Sequence, residues 1–283
     1  VIWLTIVAFW TSTPEFAVNL FSAFQWKTDL AIWNILWSNI ANILLILWIT
    51  AIIYPISAKI STVWKEIPFA FLWALMLWIL ANDTLIDWNS TSVLSRIDWF
   101  VLLGFFVIFL YYTFWIAKVK WDKTEDEEDI KEITLWKSIV YIIIWLTWLT
   151  LWWKWIVDGA TLIASNFWMS EAVIGLTVVA VWTSLPELAT SIVAAFKKQS
   201  DIAIWNVVWS NIFNIFWILW FGSLINPIPF NPNSNIDILM TIFASFVLFV
   251  TMFLFKKHKI DRIEWIIMVL IYFSYIWYLL LNT

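Results

Sequence analysis

One stretch of this chain occurs twice. Residues 175–220, GLTVVAVWTSLPELATSIVAAFKKQSDIAIWNVVWSNIFNIFWILW, align without a gap on residues 3–48, WLTIVAFWTSTPEFAVNLFSAFQWKTDLAIWNILWSNIANILLILW, at a constant offset of 172. The offset carries Glu15 onto Glu187, Pro14 onto Pro186, Asp29 onto Asp201, Asn34 onto Asn206, Ser38 onto Ser210 and Asn42 onto Asn214. Repetition this close makes the chain two homologous halves. Each copy also sets polar residues, one of them a glutamate, inside runs that are otherwise apolar enough to cross a bilayer.

Composition agrees. Of 283 residues 63% are hydrophobic and 13% charged, with mean hydropathy +0.87. A soluble domain of this length cannot bury that much apolar surface. Apolar runs of about 20 residues recur, the length a helix needs to cross the hydrocarbon core. The fold expected is therefore an all-α polytopic membrane protein with the lipid bilayer as its solvent. The net charge of −4 singles out no partner, and no nucleic acid is expected. Without cysteine there is no disulfide framework and no thiolate metal site. His258, the single histidine, falls in the basic stretch KKHKIDR and reads as a solvated loop residue rather than a ligand.

Nine spans can be read from the apolar pattern: 1–24, 30–54, 68–80 and 99–117 in the first half, then 138–162, 172–196, 202–225, 238–255 and 264–281 in the second. The divisions expected are a first repeat half at 1–117, a linker at 118–137 and a second half at 138–283. The linker is rich in carboxylates and could hold a small regulatory cation site. Its acids are interleaved with lysines and lack calcium-loop spacing, so a solvated linker is the better reading. The first copy starts at the first residue, with no signal-peptide pattern, whereas an apolar segment at 138–164 precedes the second. The expectation is that the first copy lacks one N-terminal helix.

Loop charge orients the chain. Lys59, Lys65, the linker lysines, Lys197, Lys198 and the KKHKIDR loop share one side if the spans alternate, while the opposite loops carry only Lys27 and Arg96. The lysine-rich side is then cytoplasmic, and the protein belongs in a cytoplasmic membrane, as in the bacterial inner membrane. Five spans separate the start of one copy from the start of the other. An odd number means opposite crossing directions, which is the inverted-topology repeat of secondary transporters, with a substrate site at the midplane.

The chemistry of that site is legible in each copy as T-S-x-P-E followed, one span later, by N-x-x-x-S-N-x-x-N. Proline removes a backbone donor and clashes with the carbonyl four residues back, so Pro14 and Pro186 should break their helices. Backbone carbonyls near Ala8 and Trp10, and near Ala180 and Trp182, then become candidate cation ligands. Thr11, Ser12, Thr183, Ser184, Ser38 and Ser210 add hydroxyls, Asn42 and Asn214 add amide oxygens, and Glu15 and Glu187 add charge. Hard oxygens in a flexible cage suit Ca²⁺ and Na⁺ rather than zinc or copper. Two carboxylates can balance one Ca²⁺ or two Na⁺, and competition for shared ligands is a physical basis of exchange. A lone Ser, Thr or Asn in such a helix is ordinarily interhelical glue. Two oppositely oriented copies, each with Glu after Pro, argue against that reading here.

VIGLTVVAVWTSLPELATSIVAA and DIAIWNVVWSNIFNI resemble the two signature motifs of the Ca²⁺/cation antiporter superfamily, specifically the prokaryotic Na⁺/Ca²⁺ exchangers. The resemblance covers nearly the whole chain. It implies ten helices, of which nine are present here, and alternating access by two helices sliding against a rigid bundle of eight. It makes Glu15 and Glu187 central cation ligands, with Thr11, Thr183, Ser38 and Ser210 around them. It also implies a monomeric transport unit that moves ions as cargo and needs no cofactor. Some exchangers have aspartate where this chain has Asn214, which leaves stoichiometry and any K⁺ or H⁺ dependence open. The leading expectation is a Na⁺/Ca²⁺ antiporter. Alternatives are an H⁺-coupled or K⁺-dependent Ca²⁺ exchanger, and then a Ca²⁺-binding membrane protein without transport. An intramembrane enzyme is excluded, with no H-E-x-x-H, no aspartate-rich diphosphate motif and no histidine in a span.

The chain has 27 Trp and 4 Gly, whereas transmembrane helices normally favour glycine. Trp3 faces Gly175 in the repeat, and Trp10, Trp182, Trp33, Trp205, Trp37 and Trp209 occupy the glycine positions of the family motifs. Some lineages read UGA as glycine, and translation as tryptophan would produce this pattern. Most of these tryptophans are therefore expected to be glycine in the native protein, with Trp64 and Trp155 as candidates for true tryptophan.

Overall fold

The structure, a computed structural model, describes residues 2–24, 26, 28–121, 180–225, 227–254, 259–260 and 262–282, with isolated positions between 136 and 159. Most of the expected 138–162 span, the start of the 172–196 span, most of the linker, Trp155 and His258 lie outside the described residues. What is described is overwhelmingly helical. In the first half come α1 (Ile2–Thr11), α2 (Thr13–Phe24), α3 (Thr28–Ala41), a π-helical turn Asn42–Ile46, α4 (Leu47–Ile53), a second π-turn Thr62–Glu66, α5 (Ile67–Leu80), α6 (Asp83–Ile86) and α7 (Arg96–Trp121). In the second come α8 (Ala180–Thr183), α9 (Leu185–Phe196), α10 (Ser200–Phe213), a π-turn Asn214–Ile218, α11 (Leu219–Ile225), α12 (Asn235–Leu254) and α13 (Arg262–Asn282).

Five helical stretches among the described residues are long and apolar enough to span a bilayer. Two of them form the centre: the apolar windows of Asp29–Ile53 and Ser200–Ile225 are 78% and 89% buried, against 28–44% for the other three. These are the corresponding spans of the two copies, so the repeat builds the core and the remaining helices clad it. Most span ends fall within a few residues of those read from the sequence. Two differ. The third helix starts at Thr62 through a π-turn that runs straight into α5, so Pro68 lies inside a continuous helix, where the wider π-turn just before it makes room for the missing N–H and the ring. Helix α7 continues past the apolar run to Trp121, carried by Lys118 and Lys120, which are good helix formers.

Two miniature antiparallel sheets tie the halves together at their loops. β1 (Ile56–Ser57) pairs with β4 (Lys259–Ile260), and β2 (Val93–Leu94) with β3 (Ile228–Pro229). Beside the first, Ser200 Oγ accepts from the Ser57 N–H at 3.1 Å, and Lys59 meets Asp201 at 2.8 Å. That ion pair is solvent-facing and contributes little stability.

One glycine is fixed by a close approach. A Cβ at Gly222 would lie 2.7 Å from Oδ1 of Asn19, where α11 packs on α2. The repeat counterparts of these residues are Thr50 and Ser191, on α4 and α9, which also pack together. One copy uses large against small, the other two of middling size. Gly222→Ala is therefore expected to destabilise the protein by about 1–3 kcal/mol through overpacking. Asn19→Ser in the same chain should restore most of the loss, read as thermal unfolding in detergent. Equal melting of Gly222→Ala and the parent would show that the contact is not limiting.

Candidate functional site

The cluster begins at the two interrupted helices. Pro14 and Pro186 have no N–H for the carbonyls of Trp10 and Trp182, so that rung of each ladder is missing, although Ser12 N–Ala8 O, Phe16 N–Ser12 O and Leu188 N–Ser184 O keep the i→i−4 bonds around it. The breaks fall between α1 and α2 at Ser12, and between α8 and α9 at Ser184. Each break lets the two pieces address different partners: α2 packs on α3 of its own copy while α1 packs on α10 of the other, and α9 packs on α10 while α8 packs on α3. The T-S pairs and the glutamates, one on each side of each break, are thereby carried to the contact between the two core spans.

Both glutamates are fully buried, at 0% exposure. Ser38 Oγ donates to Glu15 Oε1 at 2.7 Å, and Ser210 Oγ donates to Glu187 Oε1 at 2.9 Å. A hydroxyl has one proton, so the 2.7 Å contact between Ser38 and Ser184 is donated by Ser184. By the same reasoning the 2.7 Å contact between Ser12 and Ser210 is donated by Ser12, which also lies 3.2 Å from Glu187 Oε1. Thr11 Oγ1 points to Asn206 Oδ1 at 3.5 Å and Thr183 Oγ1 to Asn34 Oδ1 at 3.4 Å.

A second layer is made of asparagines. Asn39 Nδ2 donates to the backbone carbonyl of Asn211 at 3.3 Å, and Asn211 Nδ2 donates to that of Asn39 at 3.1 Å. Asn42 Nδ2 donates to Asn211 Oδ1, and Asn214 Nδ2 to Asn39 Oδ1, both at 3.0 Å. The offset of 172 maps each of these bonds onto its partner, as it maps Ser38–Glu15 onto Ser210–Glu187 and Ser12–Ser210 onto Ser184–Ser38. The π-turns open at Asn42 and at Asn214, again one offset apart.

Most sequence-read candidates thus come together: Glu15, Glu187, Thr11, Thr183, Ser12, Ser184, Ser38, Ser210, Asn42 and Asn214 are all buried and joined in this network. The Ala8 carbonyl is already in use, accepting from Ser12 N and from Thr11 Oγ1, both at 3.1 Å. Ala180 opens α8 within its backbone. Asn39 and the structural use of Asn211 were not singled out from the sequence, although S-N-x-x-N sets the two asparagines three residues apart, on one helix face.

Among the described residues, four oxygens of the cluster are buried with no donor: Oε2 of Glu15, Oε2 of Glu187, Oδ1 of Asn42 and Oδ1 of Asn214. A buried carboxylate oxygen that lacks a hydrogen-bond donor is costly. Four acceptors gathered without protons are instead suited to a cation, and oxygen-only ligation is what alkali and alkaline-earth ions take. Asn206 Nδ2 is a buried donor of the cluster that finds no partner among the described residues.

A helical membrane protein with a proton-poor oxygen cluster at the contact of two repeated spans is built as an ion carrier. The family model of the sodium/calcium exchanger proteins matches residues 1–115 and 137–281, and the chain belongs to that family. The putative antiporter CaxA of Alkalimonas amylolytica is 34% identical over 287 residues, spanning 97% of this chain and 86% of the relative. The inner membrane protein YrbG of Escherichia coli is 34% identical over 82% of this chain and 71% of its own length. A solved structure of the sodium-calcium exchanger NCX_Mj, soaked with Na⁺ and Sr²⁺, superposes with a TM-score of 0.73 at 30% identity, covering 96% of this chain and 84% of that one. The protein is thus an all-α polytopic membrane protein and a cation/Ca²⁺ antiporter by family and fold.

Proposed function

We propose that this protein exchanges Na⁺ for Ca²⁺ across a cytoplasmic membrane by alternating access, with Glu15 and Glu187 as the charged ligands. The observation that carries the reading is the set of four buried, donorless oxygens, two of them carboxylate. Two negative charges neutralise one Ca²⁺ or two Na⁺, so the cargoes compete for one cage and only one can be held at a time. Thr11, Ser12, Thr183, Ser184, Ser38 and Ser210 supply neutral oxygens around the charged pair, as do the carbonyls of Trp10 and Ala180 at the helix breaks, whereas the Ala8 carbonyl already accepts from Ser12 N and Thr11 Oγ1. Opposite membrane orientation of the two copies supports alternating access, because a site at their contact can open to either side by the same motion in mirror order. The pairwise exchange of hydrogen bonds under the 172 offset fits that arrangement. One chain contains both halves of the cage, which supports a monomeric transport unit.

The motif tryptophans belong to the same proposal: with glycine at Trp10, Trp33, Trp37 and their counterparts Trp182, Trp205 and Trp209, the broken helices can pack closely. The test is uptake of radiolabelled Ca²⁺ into vesicles holding the full-length protein in its glycine form. Uptake that requires an outward Na⁺ gradient is expected. Uptake driven instead by a proton gradient, with Na⁺ without effect, would replace Na⁺ coupling by H⁺ coupling. Requirement for K⁺ would be seen by its omission, and Ca²⁺ binding without flux under any gradient would leave a binding protein.

A further inference from the structure

Among the described residues, Asn39 and Asn211 hydrogen-bond no carboxylate, yet they form the most regular part of the network. A backbone carbonyl can only accept a hydrogen bond, so the contacts to the carbonyls of Asn39 and Asn211 fix which end of each opposing amide is the nitrogen. With Asn211 Nδ2 held by the Asn39 carbonyl, Asn211 Oδ1 is left to accept, and it takes Nδ2 of Asn42 at 3.0 Å. That consumes a donor of Asn42 and leaves Asn42 Oδ1 buried and donorless. The same relay runs from the Asn211 carbonyl through Asn39 to Asn214. Four buried asparagines thus take their polarity from two backbone carbonyls, and each relay crosses from one copy to the other.

We infer that Asn39 and Asn211 are positioning residues that hold Asn214 and Asn42, respectively, with oxygen rather than nitrogen presented to the cation. A flipped Asn42 would turn an N–H donor toward the ion, removing one ligand and adding a repulsive dipole. The packing cost of a flip is small because an amide is nearly symmetric in shape, so hydrogen bonding alone decides the orientation. The inference rests on the cation-site reading of the cluster. It assigns the first asparagine of S-N-x-x-N a role separate from that of the second.

The relay makes a crossed prediction. Asn211→Ala should weaken Ca²⁺ binding about tenfold when Asn42 is present, the scale of one lost buried hydrogen bond. It should add almost nothing in an Asn42→Ala background, because it acts through Asn42. Combined with Asn214→Ala, three residues on and part of the other relay, it should keep most of its tenfold effect, reduced only by the partner Asn39 that the two share. Calorimetric Ca²⁺ titration of the purified full-length protein reads all three, with thermal unfolding alongside. A purely structural role gives additive losses in every background and overturns the inference. So does unchanged affinity in Asn211→Ala. Should that variant not fold, the reciprocal cycle of Asn39→Ser with Asn214→Ala carries the same prediction, and additivity there overturns it equally. Parent protein that binds no Ca²⁺, or Glu187→Gln that binds it normally, overturns the cation-site reading itself, an outcome distinct from failure of the crossed coupling.

Discussion

Replacing Glu187 by glutamine is expected to abolish Ca²⁺ transport and to leave the protein folded. Glutamine keeps the volume of the side chain and its Oε1, so the 2.9 Å bond from Ser210 and the 3.2 Å contact from Ser12 can persist. The change falls on the other oxygen: Oε2, buried and without a donor, becomes an N–H group facing the cage. The site then carries one negative charge in place of two, and Ca²⁺ affinity depends strongly on the count of charged ligands. A loss of at least about a hundredfold in Ca²⁺ uptake is expected, ~2.7 kcal/mol. Stability moves the other way. Without bound cation, two carboxylates buried at 0% exposure are uncompensated charges, and removing one relieves that cost. The ion-free variant should unfold no earlier than the parent, and should lose the stabilisation that added Ca²⁺ gives the parent by mass action. Undiminished uptake in Glu187→Gln would take this residue out of the site. An unfolded variant would show that the carboxylate at this position is needed for folding, and Glu15→Gln, with Ser38 still bonded at its Oε1, then decides the matter by the same two readings.

How much of this could be read beforehand depends on which interactions are local. Helix breaking at Ser12 and Ser184 follows from Pro14 and Pro186, because the missing N–H acts within one turn. That Glu15, Glu187 and the Thr and Ser hydroxyls belong in one cluster is readable from the repeat and the motif resemblance, whereas the particular meetings of Glu15 with Ser38 and of Ser12 with Ser210 are not, because they depend on how the helices pack. The Asn39–Asn211 exchange was not legible. It depends on the registry of α3 against α10, which is set by side-chain packing between segments 172 residues apart. The π-turns at Asn42 and Asn214 were equally hidden, for no residue type specifies an extra backbone position in a helix. The Ala8 carbonyl illustrates the converse. Proline chemistry pointed to loosened carbonyls on that side of the break, but Ser12 N and the Thr11 hydroxyl reach back to Ala8 and fill both of its lone pairs.

Peptides of the native protein that span Trp182 or Trp205 should carry the mass of glycine, and only the glycine form should transport Ca²⁺. The structure adds three physical arguments to the motif comparison. Non-glycine residues with positive φ among those described are Trp26 (61°), Trp88 (58°) and Lys198 (59°). Two of the three are tryptophan, in a region that disfavours a Cβ by about 1–2 kcal/mol and that glycine enters freely. Trp26 follows the end of α2, and its repeat counterpart Lys198 follows the end of α9, the place where helices most often finish on glycine. Second, among the described residues the indole N–H groups of Trp73, Trp99, Trp205 and Trp209 are buried without an acceptor. At about 1–3 kcal/mol each they sum to the order of a whole domain's stability. Third, the ring centroids of Trp73 and Phe216 lie 3.8 Å apart, inside the usual spacing of about 4.5–7 Å for aromatic pairs. Not every tryptophan carries such a burden. Trp64 is 57% exposed and rests edge-on against Phe249 and Phe253, as a lipid-facing aromatic would. The replacement should therefore be selective: glycine at the motif positions and at Trp26 raises the melting temperature and restores uptake, whereas Trp64→Gly lowers stability. Tryptophan mass at Trp182 and Trp205 in the native protein, with full uptake by the tryptophan form, would falsify the assignment and require that these indoles find acceptors in a conformation the helix breaks adopt during transport.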